Sequence, residues 1–339
     1  MYLALLSYFC GMLFSKVFIS FLSFLASVDI SEAQNGSGTP VAWHFNTTNP
    51  RGPDGPWSAL ELQIGWLPEN VSVYPGRSQA TLVVSKAICE RQGSNCSNPG
   101  VRFYDKNPVK NLTSNELDIR SDSIPGWNDN LMDPLRLNGS VTHTLERITI
   151  SLEGGEEQYL DNLTFLVSDG MTVDFAGGIQ TSLDTGILSL ASKRTDEPNI
   201  STSFRGASVE TYTPLAFLGA HGGSDVPISA SWGLHVGSAR HNIPGSVYFG
   251  GYDEARILET PGIFNSTVIL LTNVSINSTI AASQSSNNLL NPTDTSSSNF
   301  NVSVVPEPAV PYLYLLPAVC TSLAFHLPLN FNSDLQLYT

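Results

Sequence analysis

Short apolar or alternating runs, each closed off by Gly, Pro, Asn or Asp, recur along the chain, and this punctuation constrains the fold more than any other feature. The runs "ALELQIGW" (59–66), "ATLVVS" (80–85), "VRFY" (101–104), "ERITISL" (146–152), "LTFLVS" (163–168), "WGLHVGS" (232–238) and "SVYFGGY" (246–252) have the length and residue types of strands. Long helical periodicity is missing. The one helix candidate is "PAVCTSLAFHL" (317–327), with Pro317 tolerated in a first turn and Cys320, Leu323, Ala324 and Leu327 on one face. The expected fold class is therefore all-β. A chain of 339 residues, 41% hydrophobic and 14% charged, carries enough apolar material for one large unit or two lobes. Between 276 and 303 it becomes "INSTIAASQSSNNLLNPTDTSSSNFNVS", low in complexity and expected to be a flexible, glycosylated loop or linker.

The formal net charge of −14, with no Lys/Arg run, argues against a nucleic-acid partner. The first 33 residues are mostly apolar, with Lys16 the one charge before Asp29, and close on Ser31-Glu32-Ala33, a small-x-small cleavage site. This reads as a secretory signal peptide, the alternative being an uncleaved anchor in which Lys16 snorkels. Either way the chain enters the secretory route, to an extracellular or cell-surface destination. Asn-x-Ser/Thr acceptors agree with that compartment: Asn35, Asn46, Asn70, Asn95, Asn111, Asn138, Asn162, Asn199, Asn265, Asn273, Asn277 and Asn301. Of the four cysteines, Cys10 falls in the signal segment, and Cys89 and Cys96 enclose "ERQGSN", a polar loop that a disulfide could close. Cys320 is then left over, an odd cysteine in a secreted chain.

Other chemistry finds little support. His44, His143, His221, His235, His241 and His326 are scattered, with no second cysteine pair at ligand spacing, so no metal is expected. No Ser or Cys occupies a nucleophile elbow. "HGG" at His221 reads as a loop, and "GSGTP" and "FGGYD" read as turns rather than phosphate cradles, since neither Lys nor helix follows. No cofactor is implied. Asp253, beside Gly250-Gly251, is expected to hold a turn.

The order of the pieces adds a resemblance. "GPWSALELQIGWLPENVSVYPGRSQATLVVSKAICERQGSNC" (55–96) resembles the opening of a pepsin-like aspartic peptidase, where a strand ending in Ile-Gly leads to the first catalytic loop and then to a cysteine-bounded loop. "THTLERITISLEGGEEQYLDNLTFLVSD" (142–169) is similar to the strand pair behind that family's flap, and "LDTGILSLA" (183–191) to its Asp-Gly-Ile-Leu-Gly-Leu stretch. "GLHVGSARHNIPGSVYFGGYDEARI" (233–257) resembles the lobe-closing strands, and "VVPEPAVPYLYLLPAVC" (304–320) stands where the second catalytic loop and following helix would be. The resemblance implies a bilobal fold, with a first lobe over 40–260 and a partial second lobe over 261–339. The strands and the cysteine partner that the family places after the second loop are missing before Thr339. Cys320 is accordingly expected to be unpaired and the apolar face of 311–329 exposed.

Pepsin-like enzymes carry two Asp-Thr-Gly-Ser/Thr loops whose aspartates share a proton, one activating water and the other polarising the peptide carbonyl. Aligned on Gly76 and Ser78, the first aspartate position holds Tyr74, with Pro75 and Arg77 replacing Thr and Ser. A phenol with a pKa of about 10 is neutral in acid and cannot take a proton from water. The second position falls on Glu307, one methylene longer and without its like-charged partner. No Tyr-Gly-x-Gly flap motif occurs in 114–140. Asp184-Thr185-Gly186 spells the catalytic tripeptide, but Ile187 follows and "GILSLA" assigns it to another part of the fold. The reading is a secreted, monomeric glycoprotein of this family that binds a peptide or cell-wall ligand without hydrolysing it. The alternatives are an active acid endopeptidase and a structural surface glycoprotein.

Overall fold

The computed structural model describes residues 11–12, 40–51, 57–65, 68–76, 80–88, 103–105, 136–139, 141–151, 157–175, 177–191, 200–204, 207–221, 229, 231–237, 243–256, 269–271, 302–304, 315–327 and 329–338. Among these the protein is mostly β-strand with two short α-helices, as the sequence pattern predicts. The principal sheet uses β2 (Val41–Arg51), β3 (Trp57–Ile64), β4 (Glu69–Gly76), β5 (Thr81–Val84), β7 (Val141–Ser151), β8 (Glu157–Ser168), β11 (Gly186–Ser189), β14 (Trp232–His235) and β15 (Ser246–Phe249). Their order is β14-β15-β2-β3-β4-β11-β5-β8-β7, and β7 also pairs back onto β3 through Gln63 with Thr149 and Ile64 with Ile148. Six of the strands, β3-β4-β11-β5-β8-β7, thus close into a ring, which hides edges that would otherwise invite pairing.

The strands at the middle of this ring are buried on both faces and read as continuous apolar runs for that reason. All four residues of β5 are buried, as are Leu163–Ser168 of β8. Val83, Leu163, Phe165, Val167 and Leu188 pack into one hydrophobic cluster, while Leu82, Val84, Leu166 and Ile187 pack into a second. The alternation of partners along β5 shows the two clusters lying on opposite faces of the sheet. Burying a side chain such as the fully enclosed Phe165 contributes about 1.5–3 kcal/mol.

The register of β7 against β8 slips between Glu146–Leu163 and Ile148–Leu160, so that Asp161 and Asn162 together face Arg147. Asn162 absorbs the extra residue with φ of 55°, a left-handed conformation that asparagine tolerates better than a branched side chain. The Arg147 guanidinium pairs across this bulge with the Asp161 carboxylate.

Helix α1 (Pro214–His221) is not expected from the sequence, which favours only the later helix. Its signal is nevertheless present at Thr213-Pro214. The Thr213 hydroxyl accepts from the Ala216 N–H at 3.2 Å, and proline opens the first turn without sacrificing a donor. His221, read as part of a loop, instead closes α1 and stacks on Phe217 with 4.7 Å between ring centres. Helix α2 (Pro317–His326) forms where it is expected, with Val319, Cys320 and Leu323 inward.

Cys320 corrects an expectation. It is disulfide-bonded, to a partner outside the described residues, so the unpaired thiol inferred from the resemblance is not found. The apolar face of α2 is likewise covered at Val319, Cys320, Leu323 and Leu327, while Leu316, Phe325 and Phe331 are exposed. Beyond α2, β18 (Phe331–Asn332) and β19 (Leu337–Tyr338) form a hairpin, and β1 (Gly11–Met12), within the N-terminal apolar segment, lies parallel to β19. Gly177, in the turn between β9 (Thr172–Asp174) and β10 (Gln180–Ser182), sits so close to this hairpin that a Cβ there would collide with the Asp334 carbonyl. Strands β16 (Ile269–Leu271) and β17 (Val302–Val304) pair with each other, and between them the Ser/Asn-rich segment lies outside the described residues up to Val302.

Candidate functional site

Tyr74 stands two residues before the end of β4, where the strand leaves the sheet. On one side β4 pairs antiparallel with β3, up to Leu60 opposite Val73. On the other, β11 runs parallel to it, with Gly186 beside Val73, Ile187 beside Tyr74, Leu188 beside Pro75 and Ser189 beside Gly76. The Leu190 N–H then donates to the Gly76 carbonyl at 2.7 Å, fastening the strand to its last residue. Tyr74 is half-buried, and Pro75 and Gly76 are buried. Arg77 and Ser78 lie outside the described residues, as do Glu307, Cys89 and Cys96.

Strand β11 occupies the slot between β4 and β5, parallel to the first and antiparallel to the second. Two strands consecutive in sequence are therefore held apart by a third that arrives a hundred residues later. This insertion explains the glycine of Asp184-Thr185-Gly186. A Cβ on Gly186 would stand 2.2 Å from the Leu82 carbonyl oxygen, so the residue must be glycine for β5 and β11 to approach. Thr185 is buried and its hydroxyl donates to Asp184 Oδ1 at 3.0 Å, while Asp184 itself is exposed. Asp184 and Thr185 precede β11, and Gly186, its first residue, is the member of the tripeptide that serves strand packing.

A second polar constellation is absent from the sequence expectations. Tyr104, buried in the first hydrophobic cluster, donates its phenol to Glu146 on β7, and Glu146 is itself only 6% exposed. Burial pushes the Glu146 carboxyl above its ordinary value. The Tyr104 phenol and the Arg147 backbone N–H pull it back down, and the Glu69 carboxylate on β4 pushes it up again. Glu69 in turn accepts from the Asp105 N–H at 2.9 Å. The parity of Glu146 with Ile148 and Ile150, both wholly buried, is the sequence signal that places it inward. So deeply enclosed a carboxyl can hold a proton but cannot reach a polymeric substrate.

Of the acceptor asparagines, Asn70, Asn138 and Asn162 are exposed and Asn46 lies on β2; Asn35, Asn95, Asn111, Asn199, Asn265, Asn273, Asn277 and Asn301 lie outside the described residues. Asp253 holds a turn, accepting from the Ala255 N–H at 3.1 Å at the start of a 3₁₀ turn over Glu254–Arg256. The described histidines His44, His143, His221, His235 and His326 sit on separate elements, and no metal-holding group of His, Cys, Asp or Glu occurs among the described residues. No helix among the described residues is long and apolar enough to cross a membrane. No known family model matches the chain, and no curated protein matches its sequence.

Proposed function

We propose that the chain is a secreted, glycosylated, non-catalytic relative of the pepsin-like aspartic peptidases that binds extended peptide or cell-surface ligands beside the end of β4. The observation that carries this reading is the packing around Tyr74. Stretches that resemble the family from residues 55–96, 142–169 and 183–191 meet as neighbouring strands of one ring, although they are far apart in sequence. The residue at the first acid position, at the end of the strand they enclose, is a tyrosine. A carboxylate is required there to take a proton from water, and a phenol that is neutral in acid cannot substitute. Fold resemblance records descent, while activity belongs to the site. Exposure of the acceptor asparagines Asn70, Asn138 and Asn162 agrees with passage through a glycosylating compartment.

Calorimetric titration of the full chain with a statine-containing peptide inhibitor of pepsin, at about pH 4, tests the binding half of the proposal, with a dissociation constant below about 1 mM expected. Tyr74→Ala is expected to weaken it. No saturable binding of the peptide would instead favour a structural surface glycoprotein.

A further inference from the structure

Residues 103–105 form a strap laid against the ring of strands, bridged to Ser85 at Tyr104. The Tyr104 N–H donates to the Val84 carbonyl at 2.8 Å and the Lys86 N–H to the Tyr104 carbonyl at 2.9 Å. Phe103 packs against the second hydrophobic cluster while Tyr104 enters the first, so the strap straddles both faces of the sheet. Two carboxyls from other strands complete the hold. Glu146 on β7 accepts from the Tyr104 phenol, and Glu69 on β4 accepts from the Asp105 N–H. On the outer side the Lys86 ammonium pairs with Asp105 at 3.0 Å.

We propose that Tyr104, Glu146 and Glu69 form a proton-operated fastening: the strap is closed when Glu146 is protonated, and ionisation of Glu146 beside Glu69 favours lifting of residues 103–105. Among the described residues, the charges around Glu146 give the anion little relief. The Arg147 guanidinium is engaged with Asp161 on β8, and Lys86 is engaged with Asp105. Glu61 on β3 is exposed, and the group facing Glu146 from β4 is a like charge. The Tyr104 phenol and the Arg147 backbone N–H remain as donors to the ionised form, but burial outweighs them and raises the pKa. Lifting the strap admits water and returns the carboxyl to its ordinary proton affinity. The closed form thus binds the proton more tightly, and a rise in pH above the ordinary glutamate range shifts the balance toward the open form. Nothing in this device depends on the proposed ligand site.

Amide hydrogen exchange of the full chain, read on peptides containing Lys86, Tyr104 and Asp105 and corrected for the intrinsic rate, tests it. Protection of the strap is expected to fall about tenfold between about pH 4 and about pH 7.5, while amides of Leu163–Val167 stay protected. Glu146→Gln, uncharged throughout, is expected to abolish the pH effect. Glu69→Gln is expected to keep it and move its midpoint to higher ease of ionisation, that is, to lower pH. A wild-type strap whose protection does not change with pH, or a pH effect that persists in Glu146→Gln, overturns the proposal. Should Glu146→Gln fail to fold, an unmoved midpoint in Glu69→Gln overturns it instead.

Discussion

Tyr74 lies in the ring of strands and Tyr104 in the strap bridged to it, and the two face opposite chemical circumstances. Tyr74 stands near the end of β4, half-buried, at a position where the resemblance calls for an acid. Tyr104 is enclosed in the core and has an acid as its partner. At the first, a phenol whose oxygen is buried stands in place of a carboxyl; the second has a carboxyl with raised proton affinity but no access. Proton chemistry on a substrate needs such a carboxyl and access in one place. The contrast teaches that packing and catalysis ask different things of the same residue types: among the described residues, the acid with raised proton affinity stands where packing encloses it.

The sharpest way to break this comparison is to disturb the strand insertion that defines the Tyr74 region. Gly186→Ala pushes a methyl into the Leu82 carbonyl, and a loss of about 3 kcal/mol or more in urea unfolding is expected. A smaller but more informative effect is expected for Tyr104→Phe, which removes the donor to Glu146. The cost is about 1–3 kcal/mol near neutral pH and less in acid, where only a hydrogen bond between neutral groups is lost.

Glu146→Gln sharpens the comparison through its pH dependence. Because burial raises the folded pKa above the unfolded value, the stabilisation tied to the bound proton is full below the ordinary glutamate range. It is lost as pH rises through the higher folded value. Wild-type unfolding free energy is therefore expected to decline over that interval, and the variant to lack the decline. Arg147→Ala should do least, under about 1 kcal/mol and less in high salt, since Asp161 is partly exposed.

Much of the β architecture is legible in the sequence because strands buried on one or both faces leave a clear pattern. "ATLVV" and "LTFLVS" are unbroken apolar runs because both faces are covered, and "ALELQI" alternates with Leu60, Leu62 and Ile64 inward. The insertion of β11 between β4 and β5 is not legible, since nothing local in "DTGILS" reveals a partner more than a hundred residues away. Gly186 hints at a close approach but not at what approaches. Helix α1 is missed because its apolar residues lie all round rather than in a stripe, although Thr213-Pro214 marks its start. The Tyr104–Glu146 pair is missed because the two residues are 42 apart and neither is unusual alone. The disulfide of Cys320 is missed because the count of cysteines after removing the signal segment leaves no obvious partner.

The most direct test is turnover. Purified full-length protein incubated with a denatured protein substrate at about pH 3–5, with and without a pepstatin-type inhibitor, is expected to give no inhibitor-sensitive cleavage, because Tyr74 supplies no general base. Peptide products that disappear when the inhibitor is added would contradict it, whichever carboxyls proved responsible.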